Sequence, residues 1–413
     1  MKQSFLFTKT IKEIPKDETS YNAQALMRAG FIDKVGAGIY TFLPLGLMVL
    51  GKINKIIREE INAIGGQEVL MPALTPKEVW QATNRWDNFD ALFKLSGSDD
   101  KDYALGATHE EIVTPLAQRF TFSYKDLPFA VYQIQNKFRN EKRAKAGLIR
   151  GREFLMKDLY SFHVSQEDLD EYYEKAKSAY FKIYQRLGLG DITHLTYATG
   201  GAFSKYSHEF QTVSDVGEDT IYVCDKCQTA VNKEIISEQD SCPECQNESL
   251  SEKKAIEVGN IFKLGSKFSR DFSFQFRDQD GNLQDVIMGC YGMGPTRILG
   301  TIVEVYHDDR GIVWLKNIAP FSVHLISLKE NQEAEKIYQE LLSAGVDVLY
   351  DDREGVSPGE KFADSDLIGC PHRLVVSAKT LSQDKVELKL RNSDDLQLID
   401  RNNLVDFFKK TNI

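Results

Sequence analysis

Between residues 47 and 64 apolar side chains recur at helical spacing. Leu47, Leu50, Ile53, Ile56, Ile57, Ile61 and Ile64 share one face, and Gly65-Gly66 ends the run. The next six residues, Gln67-Glu68-Val69-Leu70-Met71-Pro72, read as a short strand closed by proline. A second helix is predicted from Ser165, with Asp168 three residues on as a near capping box. It runs through Leu169, Tyr172, Ala176, Ala179, Ile183 and Leu187 to a stop at Gly188. Strand-like runs lie at 131–139, 150–158 and 285–291, the last feeding a helix. This order predicts an α+β arrangement, an antiparallel sheet covered by helices, rather than a βαβ repeat.

From about Ala319 the character changes. Val323-His324-Leu325-Ile326-Ser327 predicts a strand, 331–344 a helix ended by Gly345, and Val346-Asp347-Val348-Leu349-Tyr350 another strand. Ser357-Pro358-Gly359 opens a second helix. Leu374-Val375-Val376 and Val386-Glu387-Leu388-Lys389-Leu390 supply further strands before a last helix near 403–410. The expected organisation is a first domain over 1–318 and a smaller α/β domain over 319–413, a length that holds real cores in each.

A hydrophobic fraction of 42% and a charged fraction of 27% are those of an ordinary soluble protein. No apolar run is long enough to span a membrane, and Met1-Lys2-Gln3-Ser4-Phe5-Leu6-Phe7 lacks the core of a signal peptide, so a cytoplasmic enzyme is expected. The net charge of −10 argues against a protein that coats nucleic acid non-specifically. Against that background Lys137, Arg139, Lys142, Arg143, Lys145, Arg150 and Arg152 crowd into sixteen residues. A charge run is commonly a solvated face, but Gly147, Gly151 and Phe154 are interleaved here, which solvation does not require.

Four of the six cysteines form two C-x-x-C pairs, Cys224 with Cys227 and Cys242 with Cys245, fourteen residues apart. Without a secretion signal such pairs read as metal ligands rather than disulfides, with zinc the expected ion and free thiols the alternative. Four thiolates leave no open coordination position, so the role is structural.

The segment 137–158 offers guanidinium forks for phosphates, the Glu141 carboxylate for an exocyclic amine and the Phe154 ring for stacking a base. These are the pieces needed to hold ATP. Three segments line up: the helix and strand ending at Pro72, the Phe138-Arg139-Asn140-Glu141 hairpin with Arg150 and Phe154, and Gly289-Cys290-Tyr291-Gly292-Met293-Gly294-Pro295-Thr296-Arg297. Together they resemble motifs 1, 2 and 3 of the class II aminoacyl-tRNA synthetases. Ala107-Thr108-His109-Glu110-Glu111, Tyr132-Gln133-Ile134-Gln135, Arg152 to Asp158, Ser207-His208-Glu209-Phe210, Glu257 to Phe262 and Met288 to Gly292 look most like the bacterial-type prolyl-tRNA synthetases, over nearly the whole chain.

The resemblance implies a class II catalytic domain with an antiparallel sheet, a C-terminal α/β anticodon-binding domain, a homodimer, and ATP, magnesium, L-proline and tRNA(Pro) as reactants and partners. It implies Arg139 and Arg297 as the catalytic arginines. Arg139, Glu141, Arg150, Phe154 and Arg297 would hold ATP, with Gln211 a weaker candidate for ATP or magnesium. Thr108, Glu110, Arg139, His208 and Cys290 would hold proline. Arg143 would meet the tRNA acceptor end, and Arg353, Lys361 and Phe362 anticodon bases. Blander roles exist: surface ion pairs for the arginines, a core histidine for His208, a small buried hydrophobe for Cys290. Pro295 is expected as the first residue of a helix, which places Arg297 in its first turn.

Many bacterial-type relatives carry a large editing insertion. Here about twenty residues separate Val231-Asn232-Lys233-Glu234 from Glu257-Val258-Gly259, so the cysteine pairs read as a zinc clasp, about 222–256, where the editing domain is absent. Alanine and cysteine are then expected to be misactivated, because one methylene is worth only about 1–3 kcal/mol. Smaller departures are Ala107 where proline is common, Asn140 in place of aspartate, Pro295 in motif 3, and no Asp-Arg pair in 94–102. The alternatives are another class IIa synthetase, or an accessory subunit that has lost activity. The latter typically loses the arginines retained here.

Overall fold

The computed structural model describes every residue except Ile14, Pro15, Asp17, Ala202, Ser204, Asp240, Thr411, Asn412 and Ile413. The chain forms two compact units, one of residues 36–39 and 54–301, the other of residues 1–35, 40–53 and 302–413. Residues 302–318, like the N-terminal segments, thus belong with the C-terminal sheet. Among the described residues no helix is long and apolar enough to cross a membrane.

The larger unit is organised by nine strands: β1 (Gly66–Glu68), β2 (Phe129–Phe138), β3 (Glu153–His163), β4 (Thr193–Thr199), β5 (Tyr206–Val213), β6 (Asp219–Cys224), β7 (Ala230–Asn232), β8 (Leu250–Gly265) and β9 (Ile287–Met293). They lie in the order β5-β4-β7-β6-β8-β9-β3-β2-β1, and β5 also pairs with β8. All pairings are antiparallel except β7 with β4 and β1 with β2. The expected antiparallel sheet is therefore the fold. The strand at 150–158 begins later, at Glu153, because residues before it belong to the loop, and it runs on to His163.

The helices of the larger unit include α2 (Glu110–Gln118) and α3 (Gln166–Arg186), while α1 (Pro44–Ala63) and α4 (Pro295–Val305) each run from one unit into the other. Helix α3 starts where the sequence placed it, with the Ser165 hydroxyl accepting from the Asp168 amide at 3.3 Å. Its buried face, including Tyr173, Tyr180 and Tyr184, packs on the sheet, where Phe210 of β5 lies 5.0 and 5.4 Å from the last two rings. Gly259 of β8 allows that approach, because a Cβ there would sit 2.5 Å from the Tyr184 hydroxyl.

Two expectations shift. Leu47 of α1 is 60% exposed, and the buried stripe uses Leu45 and Val49 instead. The strand expected over 67–72 pairs only as far as Glu68. Beyond it the Gln133 side chain takes the Met71 amide at 3.0 Å, so a side chain replaces the ladder and Leu70 points outward.

In the smaller unit β10 (Val323–Leu328), β11 (Val348–Asp351), β12 (His372–Ser377), β13 (Lys385–Leu390) and β14 (Leu396–Asp400) order as β11-β10-β12-β13-β14, parallel over the first three and antiparallel thereafter. Helices α5 (Asn331–Ser343), α6 (Pro358–Ile368) and α7 (Leu404–Lys410) complete it. Ser357 caps α6 and Pro358 opens it, as the sequence pattern requires. Strand β14 has no counterpart in the sequence reading. It is an edge strand whose Leu396 and Leu398 are 60% and 49% exposed, so no buried alternation marks it.

Candidate active site

Strands β2 and β3 carry the 137–158 segment as a hairpin, with Lys137 opposite Phe154 and the Arg139 amide bonded to the Arg152 carbonyl at 2.8 Å. Its loop is clasped from outside. Arg152 donates from its backbone to Gly38 O at 2.8 Å and from Nη1 to Ala37 O at 3.0 Å. Gly38 has a φ of +72°, and a Cβ on it would meet Ala144 at 2.6 Å, so only glycine fits.

Beside the hairpin a cavity of about 380 Å³ is lined by Thr108, Glu110, Arg139, Glu141, Phe154, Cys290 and Arg297, together with Arg85, Asp158, Tyr160 and Glu257. A second cavity of about 200 Å³ shares Arg139, Glu141, Glu257 and Arg297 and adds Arg150, Glu218 and Asp219. Eight of the residues expected at an ATP or amino-acid site thus line these two cavities, which share Arg139, Glu141 and Arg297.

At the amino-acid end, Glu110 is the first residue of α2 and fully buried. Thr108 Oγ1 donates to its Oε2 at 2.5 Å, the Cys290 thiol to its Oε1 at 3.2 Å, and Arg85 Nη1 lies 3.5 Å from Oε2. Burial, and then Glu110, hold the Cys290 thiol well above its ordinary value, so it is a neutral donor. Behind them Asp158 pairs with Lys137 at 2.8 Å and accepts from Gln133 at 3.0 Å and Tyr160 at 3.1 Å.

At the phosphate end, the Arg139 guanidinium lies 5.3 Å from the centroid of the Phe154 ring, and its buried Nε has no hydrogen-bond partner among the described residues. Burial, and next Arg297, push this guanidinium below its ordinary value, so an anion placed here is strongly favoured. Pro295 opens α4 and Arg297 stands in its first turn, as expected. Arg297 donates to Ile149 O at 2.8 Å and to Glu257 O and Oε2 at 2.7 and 3.0 Å. Arg150 donates to Glu141 at 3.1 Å and Glu218 at 3.1 Å, so the carboxylate and the arginine expected on opposite ends of ATP hold each other here. Arg143 is exposed in the hairpin loop.

Other candidates lie apart from these cavities. Gln211 is buried one step back, donating to Glu209 and Asp219 at 2.8 Å each. His208 lies on the α3 face of the sheet: its Nδ1 meets the Tyr173 hydroxyl at 2.7 Å and its ring abuts Tyr197. Side chains alternate along a strand, so Glu209 and Gln211 take the cavity side while His208 goes with Phe210. In the other unit Arg353 pairs with Asp351 at 2.7 Å and Asp364 at 2.8 Å. Lys361 is 3% exposed and donates to Ser327 O and Asp351 O at 3.0 and 3.1 Å. Phe362 is half-buried, 4.8 Å from the Arg373 guanidinium.

The four paired cysteines do converge. Their sulfurs all lie within 4.8 Å of one another, with Cys224 and Cys245 at 3.6 Å and Cys227 and Cys242 at 3.4 Å. The two knuckles repeat one backbone form: Gln228 and Gln246 have φ of +63° and +58°, and each amide returns to the carbonyl of the first cysteine of its pair. Four sulfurs at about 2.3 Å from a tetrahedral ion are about 3.8 Å apart, close to this spacing.

Sequence reasoning missed Arg85, Glu111, Asp158, Glu218 and Glu257 as members of the site. Three aromatic residues near Arg85 in sequence, Trp80, Trp86 and Phe89, were the available signal for the first.

Residues 93–306 match the family model for the tRNA synthetase class II core domain (G, H, P, S and T), and residues 318–411 match the anticodon binding domain. A proline–tRNA ligase of Wolbachia pipientis wMel is 40% identical over 413 aligned positions, covering 96% of this chain and 97% of the relative. The chain belongs to the proline–tRNA ligase family. The ligase of Thermotoga maritima is 34% identical, covering 96% of this chain and 95% of the relative. That alignment runs over 551 positions against 413 residues here, so well over a hundred positions of the longer ligase have no counterpart. In fold, the chain is similar to prolyl-tRNA synthetase from Cryptosporidium parvum complexed with L-proline and AMP, with a TM-score of 0.77 and 19% identity over 97% of this chain and 77% of that one. The Giardia lamblia synthetase in complex with prolyl-adenylate gives a TM-score of 0.77 at 20% identity, over 92% and 74% of the two chains.

Proposed function

We propose that this ligase activates L-proline with ATP and transfers it to the 3′ end of tRNA(Pro). A proline carboxylate oxygen attacks the α-phosphorus, pyrophosphate leaves, and the terminal ribose hydroxyl of the tRNA then attacks the carbonyl carbon of prolyl-adenylate, releasing AMP. The observation that carries this reading is the single cavity holding Glu110 at one end and Arg139, its Nε unpartnered among the described residues, beside Phe154 and Arg297 at the other.

Each residue's part follows from its chemistry. Glu110, with Thr108 and Cys290 fixing its oxygens, receives the secondary ammonium of proline. Arg139 bridges the substrate carboxylate and the α-phosphate, stabilising charge as it develops on phosphorus. Phe154 offers a face to adenine, Glu141 accepts from its amino group, and Arg150 and Arg297 turn from their carboxylate partners to the outer phosphates. No protein base is needed, since the attacking carboxylate is already ionised; positioning does most of the work. His208, on the other face of the sheet, supports the site through Tyr173 rather than by touching proline.

Glu209, Asp219 and Glu257 gather on the phosphate side, with Gln211 joining the first two. Burial, and then Glu257, push the Glu209 carboxyl up to about 8, as crowded carboxylates do. This oxygen donor set suits magnesium, which when bound neutralises phosphate charge. Cys224, Cys227, Cys242 and Cys245 suit a structural zinc ion. Metal analysis should give one zinc per chain, and Cys227→Ser should lose it and lower the melting temperature while leaving amino-acid activation within about 3-fold, since the clasp lies outside both cavities.

We assign catalysis to residues 1–318 and anticodon reading to 319–413, in a cytoplasmic homodimer. Arg143 meets the acceptor end. Phe362 is the better placed anticodon candidate, Arg353 being held by Asp351 and Asp364 and Lys361 being interior. The short internal spacing between Glu234 and Glu257 supports an absent editing insertion, so alanine and cysteine are misactivated; rapid hydrolysis of Ala-tRNA(Pro) by this chain alone would refute that. Pyrophosphate exchange tests the whole reading. Exchange should depend on proline, and exchange driven by threonine, serine, histidine or glycine, or none at all, would overturn it.

A further inference from the structure

We propose that Arg85 sets the amine specificity of this site: it neutralises Glu111 and orients Glu110, leaving one negative charge for the ring ammonium of the substrate. The inference rests on the assignment of Glu110 to that ammonium. Arg85 belongs to none of the motifs that carry the family resemblance, and it enters the cavity from a turn. Asn84 adopts φ +56°, and the Arg85 amide closes on Trp80 O at 2.8 Å. That turn drives the side chain inward until it is 11% exposed.

There its guanidinium is walled by rings. Its central carbon lies 4.5 Å from the centroid of Phe89, 5.2 Å from Phe203, 5.5 Å from Trp80 and 5.9 Å from Phe268. A planar cation held among aromatic rings keeps its orientation and stays charged. One nitrogen, Nη1, serves both carboxylates, at 2.7 Å from Glu111 Oε1 and 3.5 Å from Glu110 Oε2, and both acids are fully buried. The closer partner is Glu111, which also accepts from Thr83 at 2.9 Å.

The charge count decides the role. One cation meets two buried carboxylates, and the other donors to Glu110, Thr108 and Cys290, are neutral. Nearby Lys137 is committed to Asp158 at 2.8 Å and Arg139 stands at the phosphate end, so the group is one positive charge short, and Glu110 is the member that lines the cavity. A secondary ammonium supplies that charge; a neutral ring atom does not. Burial already pushes the Glu111 carboxyl up to about 7 against the pull of Arg85. Without Arg85 the two neighbouring buried carboxylates hold one proton between them, and whenever it sits on Glu110 that carboxyl is neutral and no longer draws the substrate ammonium.

The test is pyrophosphate exchange on folded R85A, R85Q, R85K and E110Q. R85A and R85Q should raise KM for proline by about 30-fold, the size of a lost charge-assisted contact, with KM for ATP within about 2-fold. R85K should recover most of that loss, within about 5-fold of wild type, because the charge returns without the fork. Tetrahydrofuran-2-carboxylate, which has oxygen in place of the ring amine, should inhibit with the same Ki in wild type and R85Q. If R85A does not fold, the R85Q and R85K pair decides. Equal losses for proline and this analogue, or a matching rise in KM for ATP, would reduce Arg85 to a packing residue and overturn the inference. E110Q separates the two levels: an unchanged proline KM there removes the assignment of Glu110 itself, whereas a raised KM in E110Q with none in R85Q sinks only the role of Arg85.

Discussion

Two buried arginine–carboxylate clusters, one in each unit, are built from the same groups and end in opposite states. Around Arg353 the charges balance: Arg353 and Lys361 face Asp351 and Asp364, and Lys361 has its donors on backbone carbonyls. Around Arg85 they do not, with Glu110 and Glu111 sharing one cation beside an open cavity. A closed, neutral cluster is a structural element whose loss is felt as instability. An open cluster one charge short is a binding site, because a ligand completes it.

The largest expected effect is on the open side. Arg139→Ala should lower proline-dependent pyrophosphate exchange by about 10³-fold, as for the loss of one preorganised transition-state donor. Thermal melting should stay near that of the wild type; a loss below tenfold would mean that the cavity arginines share its role. On the closed side the readout reverses. Asp351→Asn leaves Arg353 and Lys361 buried without a full partner, so that unit should lose about 3–5 kcal/mol in denaturant titration. Exchange at a stabilising temperature should be little changed.

The closed cluster also predicts a pH dependence. His324 is fully buried beside it, its Nε2 donating to Gln3 Oε1 over 2.8 Å, and burial pushes its imidazole down to about 4. The unfolded chain protonates this group near its ordinary value of 6.5 while the fold resists until about 4. Between those values the unfolded state binds more protons, so stability falls as pH drops from 6.5 through 4, by about 3 kcal/mol. Denaturant midpoints measured across that window should show the slope, and His324→Gln should flatten it. The smallest effect belongs to the rim: Arg143→Ala should weaken kcat/KM for tRNA about 5-fold, in aminoacylation but not in exchange, with a steeper loss at higher salt for the wild type.

Much of this was legible in the chain. The Ser165 cap, the Gly188 stop and the strand-like runs that form β2, β3 and β9 are local signals, and they placed Arg139, Phe154 and Arg297 on or beside those elements. The segment Ser207-His208-Glu209-Phe210-Gln211 also held its answer, since period two sets His208 with Phe210 and apart from Gln211. Read by family resemblance alone, His208 fell on the wrong face. Lys361 looked like a surface cation for RNA because a buried lysine and an exposed one have the same local sequence.

The sequence by itself determined the elements, their caps and the types of chemistry available, because helical and strand periodicity, turn residues and C-x-x-C spacing act over a few residues. Only the tertiary structure decided which charges are neutralised and which are offered. Arg85 meets Glu110 and Glu111 twenty-five and twenty-six residues away, and Cys290 reaches Glu110 from 180 residues away. Burial and pairing, which set the energy of an ionised group, depend on neighbours brought together by the whole fold.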